Sequence, residues 1–177
     1  SRMEPPPFAE ITGEVEQRGE VRRLGFAYAK RRGLITELRL GGSPEEIGHQ
    51  HARLLYEEMK SSEAQLYRTF EQLVPFWPLR HLIVDVGKLG SRGIDRSMSE
   101  ARLREIASQS RAFSPDPFEG VMPTYQRLVM LNALYDVALG FEHSPLLGCT
   151  SFVARGERTL GGGALLARNF DFEAGPG

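Results

Sequence analysis

Gly148-Cys149-Thr150-Ser151-Phe152, followed by Ala167-Arg168-Asn169-Phe170-Asp171-Phe172, is the stretch on which the fold of this chain turns. It holds the single cysteine among 177 residues. A thiol with no second cysteine has no intramolecular disulfide to form, so it serves either packing or chemistry. Glu142 to Gly148 is rich in chain breakers, and Cys149 to Ala154 alternates in character as a half-buried strand does. Gly161-Gly162-Gly163 supplies a reversal, and Ala164 to Phe172 reads as a returning strand. The pair predicts a β-hairpin with the thiol at one end.

Upstream, the pattern turns helical. Val21 to Tyr28 and Leu34 to Leu40, separated by Lys30-Arg31-Arg32-Gly33, predict an early hairpin with Leu34, Leu38 and Leu40 on one side. Ser43, with Pro44 next and Glu46 three residues on, is a capping box opening one long helix toward Leu73. Pro75 and Pro78 end it, and Leu79 to Leu89 predicts a shorter helix. Ser97 and Glu100 make a second capping box, for a helix running to about Phe113. A third helix is expected from about Met122 to Leu139, with Leu128, Leu131, Leu134, Tyr135 and Ala138 as its apolar stripe and Gly140 as its stop. Ser1 to Phe8 reads as a mobile, proline-rich lead-in.

The Gly-Cys-Thr-Ser-Phe run, the glycine turn and the Arg-Asn-Phe-Asp run together resemble the linear amide C–N hydrolases with an N-terminal cysteine nucleophile. That group includes choloylglycine hydrolases, penicillin V acylases and the acyltransferases that remodel the penicillin side chain. Ser43-Pro44-Glu45-Glu46-Ile47-Gly48 also resembles the start of acyltransferase-type propeptides. The resemblance implies an N-terminal-nucleophile (Ntn) αββα sandwich within an α+β chain. It further implies autocatalytic cleavage between Gly148 and Cys149, after which the new α-amine acts as general base for its own thiol. The residue types suit that chemistry. Gly148 offers a carbonyl with no side chain obstructing attack, and a free α-amine titrates at about 7.7–8.0, near neutral pH.

Carried over by resemblance, Cys149 is the nucleophile and, once freed, the base. Arg168 is the cation beside the thiol, and Asp171 the carboxylate that orients the amine; Asn169, between them, is a supporting position. The alternative for Arg168 and Asp171 is an exposed surface pair. Residues an odd number apart on a strand point to opposite faces, so the two converge only where the strand bulges or ends. The resemblance also implies that the oxyanion-hole groups follow Gly177. The chain therefore reads as a prodomain or α-part, residues 1–148, joined to the start of a catalytic domain, residues 149–177. A downstream segment or chain is then its partner and an N-acyl amide its substrate. The acyl group would go to water or, in an acyltransferase, to an amine. A non-catalytic helical binding module with a structural Cys149 is the alternative from another class.

Composition bounds the rest. A formal net charge of −1 with no basic stripe argues against nucleic acid as partner. No run approaches the ~18 apolar residues of a membrane span, and residues 1–20 lack the apolar core of a signal peptide. A cytoplasmic location and secretion after signal removal both stay open. His49 and His51, two apart on a helix, do not share a face, so no metal is expected there, and no cofactor motif is present. Asn132 and Asp136, one helical turn apart, are expected on a solvated face.

Overall fold

Gly19, Gly25 and Gly33 all adopt φ of 60–61°, and each opens a two-residue turn between antiparallel strands. Glycine at the first turn position with positive φ is the type II′ requirement, whose twist matches that of paired strands. Four strands result, β1 (Glu16–Arg18), β2 (Val21–Leu24), β3 (Ala27–Arg32) and β4 (Ile35–Arg39), paired in sequence order. Val21 to Tyr28 is thus not one strand of an early hairpin but two strands reversing at Gly25-Phe26. Leu34 does not join Leu38 and Leu40 on a buried side. It sits in the third turn, 97% exposed, while Leu38 and Leu40 pack on the buried cluster.

In the computed structural model residues 3–90, 92–139 and 147–172 are described, with side chains at 3–90, 92–133 and 151–167. The fold is α+β, and it divides into two compact units, Ser1–Ala133 and Leu134–Gly177. In the first unit, helices α1 (Pro44–Leu54), α2 (Tyr56–Leu73), α3 (Trp77–Gly90), α4 (Glu100–Ala112) and the start of α5 (Thr124–Leu139) follow the sheet. The second unit contains β5 (Leu147–Arg155) and β6 (Ala164–Phe172), paired antiparallel.

The Ser43 capping box forms as its residues predict. The Ser43 N–H donates to Glu46 Oε2 at 2.7 Å, and the Glu46 N–H donates to Ser43 Oγ at 3.3 Å. Gln50 pins the chain entering α1 by accepting from the Gly41 N–H and donating to its carbonyl, both at 3.0 Å. The single helix expected from Ser43 to Leu73 is instead two, broken at Leu55 (φ −117°, ψ 23°). Tertiary packing accounts for the break. Leu54 is fully buried against Leu24, Ala27 and Ala29 of the sheet, with Leu55 packed on the same cluster, and no breaker in the sequence marks the place. The second capping box is also displaced. Ser99, not Ser97, caps α4 by accepting from the Arg102 N–H at 3.3 Å, and Ser97 closes a 3₁₀ turn on the Ile94 carbonyl.

Helix α1 lies against β2 and β3 on one side and against α4 on the other. Alanines 27 and 29, both fully buried, keep the sheet surface low under α1. Gly48 does the same on the opposite side, where a Cβ would stand 2.0 Å from the Glu105 carbonyl oxygen. Beyond α4, Ile106 and Ala107 join Tyr125, Leu128 and Val129 of α5 in a second buried cluster. Met3 and Phe8 pack on this cluster, and the Gln126 amide donates to the Met3 carbonyl at 3.2 Å, so the lead-in is held against the core. Leu134, Tyr135, Ala138 and Gly140, also read from the sequence, lie outside the described side chains.

A Gly48→Ala substitution tests the α1–α4 approach. At an open helical site the change gains up to about 1 kcal/mol. Here the added methyl meets backbone, and a loss of about 1–3 kcal/mol is expected from urea denaturation of the purified chain.

Candidate functional site

The candidate junction lies on β5 and β6. Strand β5 starts two residues before the thiol, at Leu147, so the Gly148–Cys149 bond is inside the strand. Thr159 shapes the reversal: its hydroxyl bonds the Gly156 carbonyl at 3.0 Å and the Gly163 carbonyl at 2.7 Å, and Gly161 and Gly162 take φ of 87° and 73°. From that turn the ladder runs without interruption from Arg155↔Ala164 to Leu147↔Phe172. There is accordingly no bulge between Arg168 and Asp171.

The register places every residue singled out from the sequence. Cys149 stands across from Phe170, Gly148 across from Asp171, Thr150 across from Asn169 and Ser151 across from Arg168. Opposed Cα atoms in such a ladder are about 4.5–5.5 Å apart, so all five positions fall within four consecutive rungs. In the two-residue alternation of a strand, Arg168 has the parity of Cys149, while Asp171 has the parity of Gly148. The hairpin thus brings the two charged residues to the same end of the ribbon without bringing them to one face.

Further along the ribbon, Phe152, Val153, Leu165 and Leu166 are more than half exposed. Phe152 and Leu165 lie on one face, Val153 and Leu166 on the other, because their rungs alternate. Both faces of the hairpin therefore present apolar side chains.

No family model, no curated protein and no solved structure matches the chain.

Of the other expected polar residues, His49, His51 and Asn132 lie in the first unit. His51 and His49 face different surroundings: His51 Nδ1 is 3.0 Å from the Gln109 amide nitrogen, whereas His49 Nε2 is buried with no hydrogen-bond partner among the described residues. Asn132 is not on a solvated helix face. Half-buried, it accepts from Arg102 and donates to the Leu128 carbonyl at 2.8 Å, tying α5 to α4. Asp136 lies outside the described side chains.

The most buried charge cluster among the described residues was not marked by the sequence. Arg127 of α5, 1% exposed, is paired with Glu63 of α2 and donates to Asp116 Oδ2 at 2.7 Å and to the Met122 carbonyl at 2.8 Å. Asp116 also accepts from the Phe118 N–H at 2.9 Å and from the Thr124 hydroxyl, and the Arg127 guanidinium lies 5.7 Å from the Phe118 ring centre. The one available signal was Asp116, between two prolines and eight residues before Thr124. Burial raises the Glu63 carboxyl above its ordinary range despite Arg127. Burial also pushes Asp116 upward, but the bonds from Thr124, Arg127 and the Phe118 N–H prevail and hold it low. The Tyr67 hydroxyl, which donates to Glu63 at 3.5 Å, is pushed up to about 12 by burial and by that carboxylate. Each charged residue here is paired within the cluster, which joins α2, α5 and the loop between α4 and α5.

A depressed carboxyl contributes stability above its ordinary pKa of 3.8 and loses it as pH falls through the lower native value. Asp116→Asn is expected to cost about 1–3 kcal/mol near neutral pH, the worth of charge-assisted hydrogen bonds. The variant should also lose less stability than the parent below the ordinary carboxylate pKa, as thermal melts across the acid range would record.

Proposed function

We propose that the chain carries the processing junction and nucleophile of a cysteine Ntn-hydrolase that acts on linear amide bonds. One observation carries this proposal: the unbroken register that sets the Gly148–Cys149 bond opposite Asp171, with Arg168 two rungs away on the parity of Cys149.

In the first step the Cys149 Sγ attacks the Gly148 carbonyl carbon. The C–N bond breaks, its nitrogen leaves as the free amine of Cys149, and Gly148 is held as a thioester. Water then hydrolyses the thioester, releasing the Gly148 carboxylate and regenerating the thiol. The new amine, the nitrogen of Cys149, would lie between the rung where Gly148 faces Asp171 and the rung where Cys149 faces Phe170. A main-chain amine belongs to neither face of the strand, so the opposite parity of Asp171 does not remove it from reach. Arg168, on the parity of the thiol, would favour the thiolate.

Turnover repeats the chemistry on a substrate amide. The amine takes the thiol proton, the thiolate attacks the acyl carbon, and the departing amine receives the proton. Water releases the acyl group, or an amine does so in an acyltransferase. The two apolar faces of the hairpin support the αββα arrangement, in which a sheet is covered by helices on one side and by a second sheet on the other.

Cys149→Ala should abolish cleavage before residue 149, since the attacking group is lost, and Cys149→Ser should process slowly. Intact-mass spectrometry of the expressed protein reads both. Cleavage of the alanine variant would assign the cut to an external protease, and an uncut parent chain would favour a binding module with a structural cysteine.

Arg168→Lys keeps the charge but loses the planar fork of donors. In the mature enzyme it should slow alkylation of Cys149 by iodoacetamide near neutral pH and lower amide turnover. Unchanged rates for both would return Arg168 to the surface-pair alternative.

A further inference from the structure

A cleft of about 300 Å³ lies in the first unit between the segment Phe8 to Gly13, helix α1 and helix α4. Its position follows from helix geometry. His49 and Arg53 are four apart on α1, and Ser108, Arg111 and Ala112 recur at three- and four-residue spacing on α4, so each set occupies one helix face. Phe8 and Ile11 of the lead-in supply the facing apolar wall.

Two polar groups in this wall lack partners. The Ser108 side chain is 1% exposed and its hydroxyl has no hydrogen bond, although a helical serine ordinarily satisfies itself on a carbonyl one turn back. His49 Nε2 is likewise buried and unpartnered. An unmade hydrogen bond at a buried group is costly, and two that line one cleft mark a place for a polar ligand atom. Charge points to its sign. Arg53 and Arg111 line the cleft with no carboxylate partner among the described residues, Arg111 lying 4.1 Å over the Phe8 ring, and Glu10 is the one acidic group in the described lining. Two guanidiniums against one carboxylate leave an excess positive charge beside the two unpartnered polar atoms.

We infer that this cleft binds a small monocarboxylate with a short apolar tail. The carboxylate is held by Arg53 and Arg111 and accepts from Ser108 Oγ–H and His49 Nε2–H, while the tail lies on Phe8, Ile11 and Ala112. The site is independent of the Cys149 chemistry, because none of its residues belongs to the hairpin. Burial and the nearby Arg53 lower the His49 pKa, so a bound anion has room to raise it, opposed by Arg53 and Arg111 and assisted by Glu10.

The test is an NMR titration of the His49 ring in the full chain, with hexanoate, inorganic phosphate and hexylamine as probes, run on the Cys149→Ala variant to keep the chain uncut. Hexanoate should bind saturably with a dissociation constant on the order of 1 mM, as fits so small a ligand, and raise the His49 pKa. Phosphate should bind more weakly and hexylamine should leave the pKa unmoved. Arg53→Gln with Arg111→Gln should weaken hexanoate by about tenfold or more, and Ser108→Ala by a smaller factor, with unchanged melting temperature. Absence of a saturable shift would mean that the cleft holds only water, which overturns the inference. So would equal binding of phosphate, an equal response to hexylamine, or hexanoate binding that survives loss of both arginines. A Ser108→Ala variant that melts early is replaced by Ser108→Cys, read in the same way.

Discussion

The first unit depends on one place where two backbones nearly touch. At Gly48 the α4 main chain comes so close that a side chain of any size would collide with the Glu105 carbonyl. That approach brings α4 near enough for Gln109 to reach His51 and Met59, and for Arg104 to pair with Glu45. On its other side α1 rests on Ala27 and Ala29, which are small for the same reason. Helix α1 is thus a narrow wedge between sheet and α4, and small residues on both sides govern the spacing. Larger ones would have to be accommodated by moving whole elements, since packed interiors have few voids to absorb them.

Much of this was legible beforehand where local chemistry decides structure. The Ser43–Glu46 capping box, the hairpin that pairs the strands around Cys149 and Phe170, and the helix over Thr124–Leu139 all rest on short-range patterns of sequence. The failures share a different cause. Leu55 breaks a helix because Leu54 and Leu55 are drawn onto a sheet, an influence from outside the segment. Gly25 sits inside a run with strand character, although a glycine followed by one residue between apolar runs is also the pattern of a II′ turn. The same pattern repeats at Gly19 and Gly33, and the three together would have shown the four-stranded meander.

The candidate junction was legible as residues and not as geometry. Cys149, Arg168 and Asp171 came from local runs, but the question of faces needed the register. The ladder answers it by giving Arg168 the parity of the thiol and Asp171 that of the neighbouring glycine. The buried Arg127 cluster and the cleft at His49 were illegible because their members come from distant segments. Glu63 and Arg127 are 64 positions apart, and His49 and Ser108 of the cleft are 59 apart, whereas spacing rules reach only a few residues.

The two carboxyl groups beside Arg127 respond to acid in opposite senses. Asp116 is held ionised, while burial leaves Glu63 more ready to keep a proton in the folded chain than in the unfolded one. A group of the second kind makes folding a proton-absorbing event between its ordinary and its native pKa. The seam between α2 and α5 therefore closes with a proton taken from solution, and opening it returns that proton. In weakly acidic solution the surrounding buffer becomes a participant in the folding equilibrium, coupled to it through one carboxyl group on α2.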